Sequence, residues 1–426
     1  VIAAREPAAT LGIDIGTSGA RAAAIDRSGN LVGFAAAPFV SLDELRQPMA
    51  WWARVREAVE RLKDQVDLAS VRGVAVDGTS GTVLAIDRNQ APTGGVLMYN
   101  DPCPDAEIVK QISKHAPPGS TAVGPNSGLA RAIFLARQNG VDGVLHQADW
   151  ILMMLGCPGR VSDENNTLKS GYDVLAQEWP DWIEAAGMDR AKLPEVFSAG
   201  KPLAKMAGYL KDTGVHESSF FHAGTTDGCA SFLATGASEI GDAVTALGST
   251  IVLKLASSEP ISAPEFGVYS HRVGKFWLAG GASNSGGNVL KALVGDDRLE
   301  ELTARVDPGR PLGLDFYPLL KPGERFPLSD PNYQPRFAPA PADDGQFFQA
   351  ILEGMTEIER LGYQRLRELG GPAIKSLRTV GGGARNSAWS AMREKAMGIK
   401  TLPARSVEAA VGTASLALDN LDNQDA

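Results

Sequence analysis

The chain has 426 residues, 44% of them hydrophobic and 21% charged, and a formal net charge of -9. This is the make-up of a folded globular protein with core enough for two or three domains. The acidic surplus argues against a nucleic-acid or membrane-surface binder, and no apolar run nears the ~18 residues of a membrane span.

In chain order, residues 11–39 alternate apolar and polar positions around "DRSGN" and predict strand, turn, strand, with Gly29 in the turn. The opening stretch "LGIDIGTSGARAAAID" sets Asp14 in an apolar run and follows it with Thr17, Ser18 and Gly19. Such a turn either ends a strand or cups an anion beside a metal-holding carboxylate. In "MAWWARVREAVERLKDQV", Trp52, Val55, Val59 and Leu62 share one helix face. "VRGVAVDG" and "TVLAIDRN" then read as strands, so this part of the chain is α/β. "WILMMLG" at 150–156 is the densest apolar run and is too short to span a membrane.

Near residue 223 the character changes. "HAGTTDGCASFLATGA" leads into "DAVTALGSTIVLKLAS", a second strand, glycine turn and strand. The pattern of 11–26 thus recurs at 242–256 and predicts two related halves, each opening on a hairpin. The proline-rich stretch 325–345 predicts irregular chain, followed by a long helix over "GQFFQAILEGMTEIERLGYQRLREL". "LRTVGGGARNSAWSAMREKAMG" reads as strand, triple-glycine turn and helix, and "SVEAAVGTASLAL" as a closing helix with a tight Ala/Gly face. Cys103, Cys157 and Cys229 are too few and too scattered for a disulfide framework or a zinc site, which points to a reducing compartment. A first residue of Val1 rather than Met is compatible with a removed leader.

No G-x-x-x-x-G-K-[ST], strand-linked G-x-G-x-x-G or H-E-x-x-H motif is present. Five small-residue turns follow strands instead: "DIGTSG", "DGTSGT", "AGTTDG", "LGST" and "GGGARN". Each alone is an ordinary tight turn. Five in one chain, two with an Asp beside Gly-Thr, read as a set of anion-binding turns.

Together with "EAAVGTA" near the end, these motifs resemble, in order and from about residue 10 to 420, the FGGY family of carbohydrate kinases in the actin-like ATPase superfamily. "ADW", "VSDENNTLKSGYD", "VTALGSTIVLKL", "VYSHR", "GGASNSGG", "GERFP" and "LGYQRL" are similar to a short cyanobacterial and plant branch labelled xylulose-kinase-like, whose members are held to phosphorylate D-ribulose. The resemblance implies two actin-like (ribonuclease H-like) α/β ATPase domains flanking a central cleft. A sugar-binding domain would cover 10–234, with a final helix at 406–422 returning to it, and a nucleotide-binding domain would cover 235–405. It implies ATP-dependent phosphorylation of a ketopentose, D-ribulose first and D-xylulose second, with ATP and Mg²⁺ bound.

The resemblance also implies roles. Asp227 in "AGTTDG" would be the general base, the plain alternative being a helix cap. Asp14 would hold Mg²⁺, directly or through water, next to the substrates, while Thr17 and Ser18 face the phosphates. Gly248, Ser249 and Thr250 would form a second phosphate hairpin, and Gly381, Gly382 and Gly383 the adenosine turn. Asn386 and Trp389 would reach the base, although Trp389 reads equally well as core. Ser80 in "VDGTSGT" would meet a sugar hydroxyl, and Asp77 would stabilise that loop. One departure stands out. Where many family members carry Trp-x-Asp-x-Arg to read the sugar, this chain has Tyr99, Asp101 and Cys103, which weighs against glycerol or D-xylulose and makes Cys103 a packing residue. A rival of another class is an ATP-gated sugar-binding protein without catalysis, which would need no base. The remaining expectations are a monomer or homodimer in the cytoplasm or chloroplast stroma.

Overall fold

A computed structural model describes residues 6–421. The chain divides into two compact units. One holds the residues up to Ala234, His271–Gly274 and the chain from Glu408 onward; the other holds Thr235–Ser270 and Lys275–Val407.

In the first unit, β1 (Thr10–Gly16) and β2 (Gly19–Ile25) form a hairpin turned by Thr17 and Ser18, and β3 (Leu31–Pro38) continues it antiparallel. Leu11, Ile13 and Ile15 of β1 and Ala20, Ala22, Ala23 and Ala24 of β2 are all buried, the near-continuous apolar run of a strand covered on both faces. α1 (Pro48–Lys63) begins with proline, whose missing N–H costs nothing in the first helical turn. It buries Trp52, Val55, Val59 and Leu62, the face its spacing predicts, together with Trp51. β4 (Gly73–Gly78) lies parallel to β1. After α2 (Gly128–Ala136) and the one-turn α3 (Glu164–Thr167) come β5 (Pro202–Lys205), β6 (Phe220–His222), β7 (Thr225–Thr226) and α4 (Asp227–Ala234). The sheet order is β5-β6-β4-β1-β2-β3, with β7 also on β4. The "TVLAIDRN" strand exists, but as Val83–Ile86 of a separate three-stranded sheet with Pro92–Leu97 and Gly143–His146.

The second unit repeats the plan. β8 (Asp242–Leu247) and β9 (Ile251–Ser257) form its hairpin, followed by β10 (Tyr269–Val273, of which His271–Val273 group with the first unit), β11 (Phe276–Ala282) and α5 (Gly287–Val294). The chain is then largely irregular through the prolines until α6 (Asp344–Glu368), which Asp343 caps by accepting from Gln346 N at 2.9 Å. β12 (Ser376–Val380), α7 (Ser387–Met397) and β13 (Thr401–Leu402) complete it. The order β10-β11-β9-β8-β12-β13 contains β12-β8-β9-β11, the counterpart of β4-β1-β2-β3 in strand direction as well as position. The two related α/β halves expected from the sequence are therefore present.

The last helix, α8 (Ala409–Leu418), packs on β1 and α4. Contact is backbone to backbone: a Cβ on Gly12 would lie 1.9 Å from Ala410 O, and one on Gly412 would lie 1.9 Å from Ala230 O. Only glycine fits at either place. Thr10 Oγ1 donates to Ala414 O at 2.8 Å across the same seam. Residue 422, the far end of the expected helix, lies outside the described residues. The three cysteines are buried. Among the described residues no helix is long and apolar enough to cross a membrane.

Candidate active site

Three carboxylates meet at the ends of neighbouring strands in the first unit. The pairing of β1 with β4 sets Asp14 beside Asp77, and the pairing of β7 with β4 sets Thr225 and Thr226 beside Asp77 and Gly78. Asp227 follows directly as the first residue of α4. Asp77 is fully buried and Asp14 nearly so, whereas Asp227 retains partial exposure. Asp14 Oδ2 accepts from Arg21 Nη1 at 2.8 Å, and Arg21 Nη2 reaches Ser18 Oγ at 2.5 Å. Asp77 Oδ2 accepts from the Thr413 hydroxyl of α8, and its Oδ1 meets no donor. Asp227 Oδ1 accepts from Gly228 N at 2.8 Å.

The electrostatics follow from crowding. Burial, then repulsion from Asp14, holds Asp77 well above the usual carboxylate range, against the Thr413 bond and with Asp227 adding to the rise. Burial also raises Asp14, opposed by Arg21. Asp227 is raised by burial and then by Asp14, opposed by the Gly228 N–H, Lys169 and the Ser80 N–H. A raised carboxylate with an open side is suited to take a proton near neutral pH. Ser80 Oγ is buried with no hydrogen-bond partner, a costly state for a hydroxyl unless a ligand supplies one.

The Asp227 segment is held from behind by residues that sequence reasoning did not assign. Asp163 Oδ1 accepts from the N–H groups of Asn165 and Asn166, both at 2.9 Å, and so caps α3. Asn166 Nδ2 donates to Asp163 Oδ2 at 2.7 Å and to Thr225 O at 3.0 Å. Asn165 Nδ2 donates to Thr225 Oγ1 at 3.0 Å and to Arg272 O at 2.9 Å. β7 is only two residues long, and β4 covers one of its edges. These amides tether it from α3.

Asp101 does not face this cluster through its carboxylate. It forms a two-pronged pair with Arg46 at 2.6 and 2.7 Å, which holds its carboxyl below the usual range. Cys103 is buried against Ala130 O, and burial pushes its thiol up.

In the second unit the expected nucleotide turns touch each other. Gly248, Ser249 and Thr250 join β8 to β9, and this turn is pinned where Gly287 N donates to Gly248 O at 2.8 Å and Asn288 N to Ser249 O at 3.1 Å. Gly381 has φ 88°, and a Cβ there would sit 2.6 Å from Leu247 O. Other glycines in these turns face open space. A Cβ on Gly382 would meet nothing nearer than Arg385 Nη2 at 4.0 Å, and on Gly248 nothing nearer than Thr250 O at 3.8 Å. Packing within the protein does not require glycine there. Asn386 Oδ1 caps α7 by accepting from Trp389 N, and Nδ2 donates to Thr303 Oγ1, each at 2.9 Å. Trp389 is buried with Nε1 on Thr356 Oγ1, so of its two readings the structure places it in the core.

Among the described residues no group of three or more His, Cys, Asp or Glu side chains could hold a metal ion. Asp14 offers the hard oxygen that suits Mg²⁺, and most of the remaining ligands would come from water and phosphate.

Residues 9–130 match the N-terminal domain, and residues 243–419 the C-terminal domain, of the FGGY family of carbohydrate kinases. The chain is 24% identical over 413 residues to the xylulose kinase of Escherichia coli (strain K12), covering 90% of this chain and 83% of that one. To the gluconokinase of Bacillus subtilis (strain 168) it is 22% identical over 423 residues, covering 90% and 81%. The solved structure of a xyloylose kinase from Brucella ovis superposes with a TM-score of 0.84 at 24% identity, over 97% of this chain and 90% of that one.

Proposed function

The chain belongs to the FGGY family of carbohydrate kinases, with ATP use the family norm, and we propose that its sugar is D-ribulose, phosphorylated on the primary 5-hydroxyl. One observation carries the site assignment. Asp227, alone of the three clustered carboxylates, keeps partial exposure, and it adjoins a loop whose Ser80 hydroxyl lacks a partner.

In this reading Ser80 bonds a sugar hydroxyl while Asp227 takes the proton of the 5-hydroxyl. The alcohol oxygen attacks the γ-phosphorus, the new O–P bond forms, and the bond to the β-phosphate oxygen breaks to release ADP. The Gly248–Thr250 and Gly381–Gly383 turns bring backbone N–H groups to the nucleotide. Thr17 and Ser18 do the same from the β1–β2 turn. Mg²⁺, where bound, neutralises phosphate charge, and Asp14 is the residue that would hold it. Positioning, charge stabilisation and proton removal are the main demands on the protein, because phosphoryl transfer needs little covalent help.

D-Ribulose is favoured by the branch-like segments and by Cys103 in place of a sugar-reading arginine. D-Xylulose is the second reading, supported by the relatives named xylulose kinase. ADP release measured over a panel of pentoses, ketoses and polyols tests both. The proposal expects the highest kcat/KM with D-ribulose. A higher value with D-xylulose would replace it, and equal background rates with every sugar would favour the non-catalytic binding protein.

A further inference from the structure

Arg131, on α2, is 1% exposed and has no carboxylate within hydrogen-bond reach. Its donors go to three backbone carbonyls: Nη1 to Tyr99 O at 3.0 Å and Asp101 O at 2.9 Å, and Nη2 to Gly81 O at 2.8 Å. Nε has no partner. The nearest acid, Asp101, spends its carboxylate on Arg46 and on Met98 N. Burial pulls the guanidinium down to about 10, so it stays charged at neutral pH. A buried cation that bonds no carboxylate, with Asp101 attracting it only without direct contact, is an expensive way to fill a helix face, and an apolar side chain would pack there at lower cost. The reason for Arg131 therefore lies in what it holds.

The three carbonyls come from two segments. One is Thr79–Thr82, which carries Ser80, and the other is Met98–Asp101, which carries the exposed Tyr99 and Asn100. Thr82 Oγ1 accepts from Tyr99 N at 3.1 Å and bonds Thr79 Oγ1 at 2.7 Å, and Thr79 Oγ1 reaches Gln147 Oε1 at 2.7 Å. The guanidinium thus closes a mesh of short bonds between the two loops. A trans peptide sets C=O and N–H on opposite sides. With the Tyr99 carbonyl turned in to Arg131, the Asn100 N–H is turned away from it, on the exposed side of the loop.

We propose that Arg131 is a positioning residue for sugar recognition: by drawing three carbonyls inward it fixes the spacing of Ser80 and Tyr99 and presents the Asn100 N–H to a sugar oxygen, without itself touching the sugar. The ligand class is an uncharged polyhydroxy compound, because Arg131 spends its donors on carbonyls and Arg46 spends its own on Asp101. The inference rests on the reading of Ser80 as sugar-facing.

The test is steady-state kinetics on Arg131→Lys and Arg131→Met with D-ribulose and ATP varied separately. Lysine keeps the charge and cannot span three carbonyls in a plane. Both variants should raise the sugar KM at least ~10-fold, the scale of a lost buried hydrogen bond, and leave the ATP KM within about twofold. Equal rises in both KM values, or none, would overturn the proposal. Should neither variant fold, as judged by ADP-induced thermal shift, Thr82→Val removes the hydroxyl that holds Tyr99 N. An unchanged sugar KM in that variant would be equally fatal. Loss of sugar-stimulated turnover in the wild-type chain would reject the function and the inference with it. A stimulated wild type, an inactive Asp227→Asn and a normal sugar KM in Arg131→Lys would reject the inference alone.

Discussion

Asp227→Asn separates activity from stability in opposite directions. The substitution keeps shape and one acceptor oxygen, so the Gly228 N–H bond at 2.8 Å can persist. It removes the group proposed to receive the sugar proton. Loss of a general base costs about 10²–10⁴ in rate, which corresponds to about 3–5 kcal/mol of barrier at 1.36 kcal/mol per decade. Stability should move the other way. The Asp227 carboxyl is raised by burial and by Asp14, so the folded state opposes its charge. A group raised on folding contributes stability at low pH that is lost as pH climbs through its folded value. At pH 7.5 the neutral amide therefore relieves a strain, and Tm should hold or rise. The assay is coupled ADP release beside a thermal melt of the same sample. A folded variant with kcat within tenfold of wild type would refute the role of Asp227, and a lowered Tm would refute the electrostatic account.

The pH profile offers a related check: log kcat/KM should fall on the acid side through a value above the ordinary aspartate range, and Lys169→Met should move that limb higher, since Lys169 now pulls Asp227 down. Glu164 is buried and pushed up to about 7 from 4.5 by burial, so its stabilising contribution is complete below 4.5 and lost as pH rises through about 7. Glu164→Gln should melt above wild type at pH 8, by about 3 kcal/mol at most, with the gap closing towards pH 5 in parallel melts. Gly382→Ala meets no protein atom nearer than 4.0 Å and should leave Tm unchanged while raising the ATP KM several-fold; an unchanged ATP KM would remove Gly382 from the nucleotide site.

What was legible in the sequence was mostly local. Both hairpins, the apolar face of α1 and the long α6 follow from spacing and turn residues that neighbour one another in the chain. The "TVLAIDRN" strand was visible, but not its membership of a separate sheet, because an apolar run does not name its partner. The same limit applies at the site. Asp14, Ser80 and Asp227 announce themselves through glycine-threonine turns, whereas Arg131 is one basic residue in a short apolar helix with no motif around it. Asn166 stands in "VSDENNTLKSGYD", a polar run whose residues 162–167 are nonetheless buried, a fact that the sequence does not show. Its partner Thr225 lies 59 residues away, a distance across which sequence spacing says nothing.

The seam between α8 and β1 also bears on how the chain is made. Thr10 and Ala414, 404 positions apart, and Asp77 and Thr413, 336 apart, must meet before the carboxylate corner is complete. A ribosome finishes the whole second unit before it releases the helix that covers Gly12. A nascent polypeptide arrested short of residue 409 has an acidic corner that lacks both the cover of α8 and the Thr413 hydroxyl. The carboxylate corner is thereby completed only after the second unit has been made.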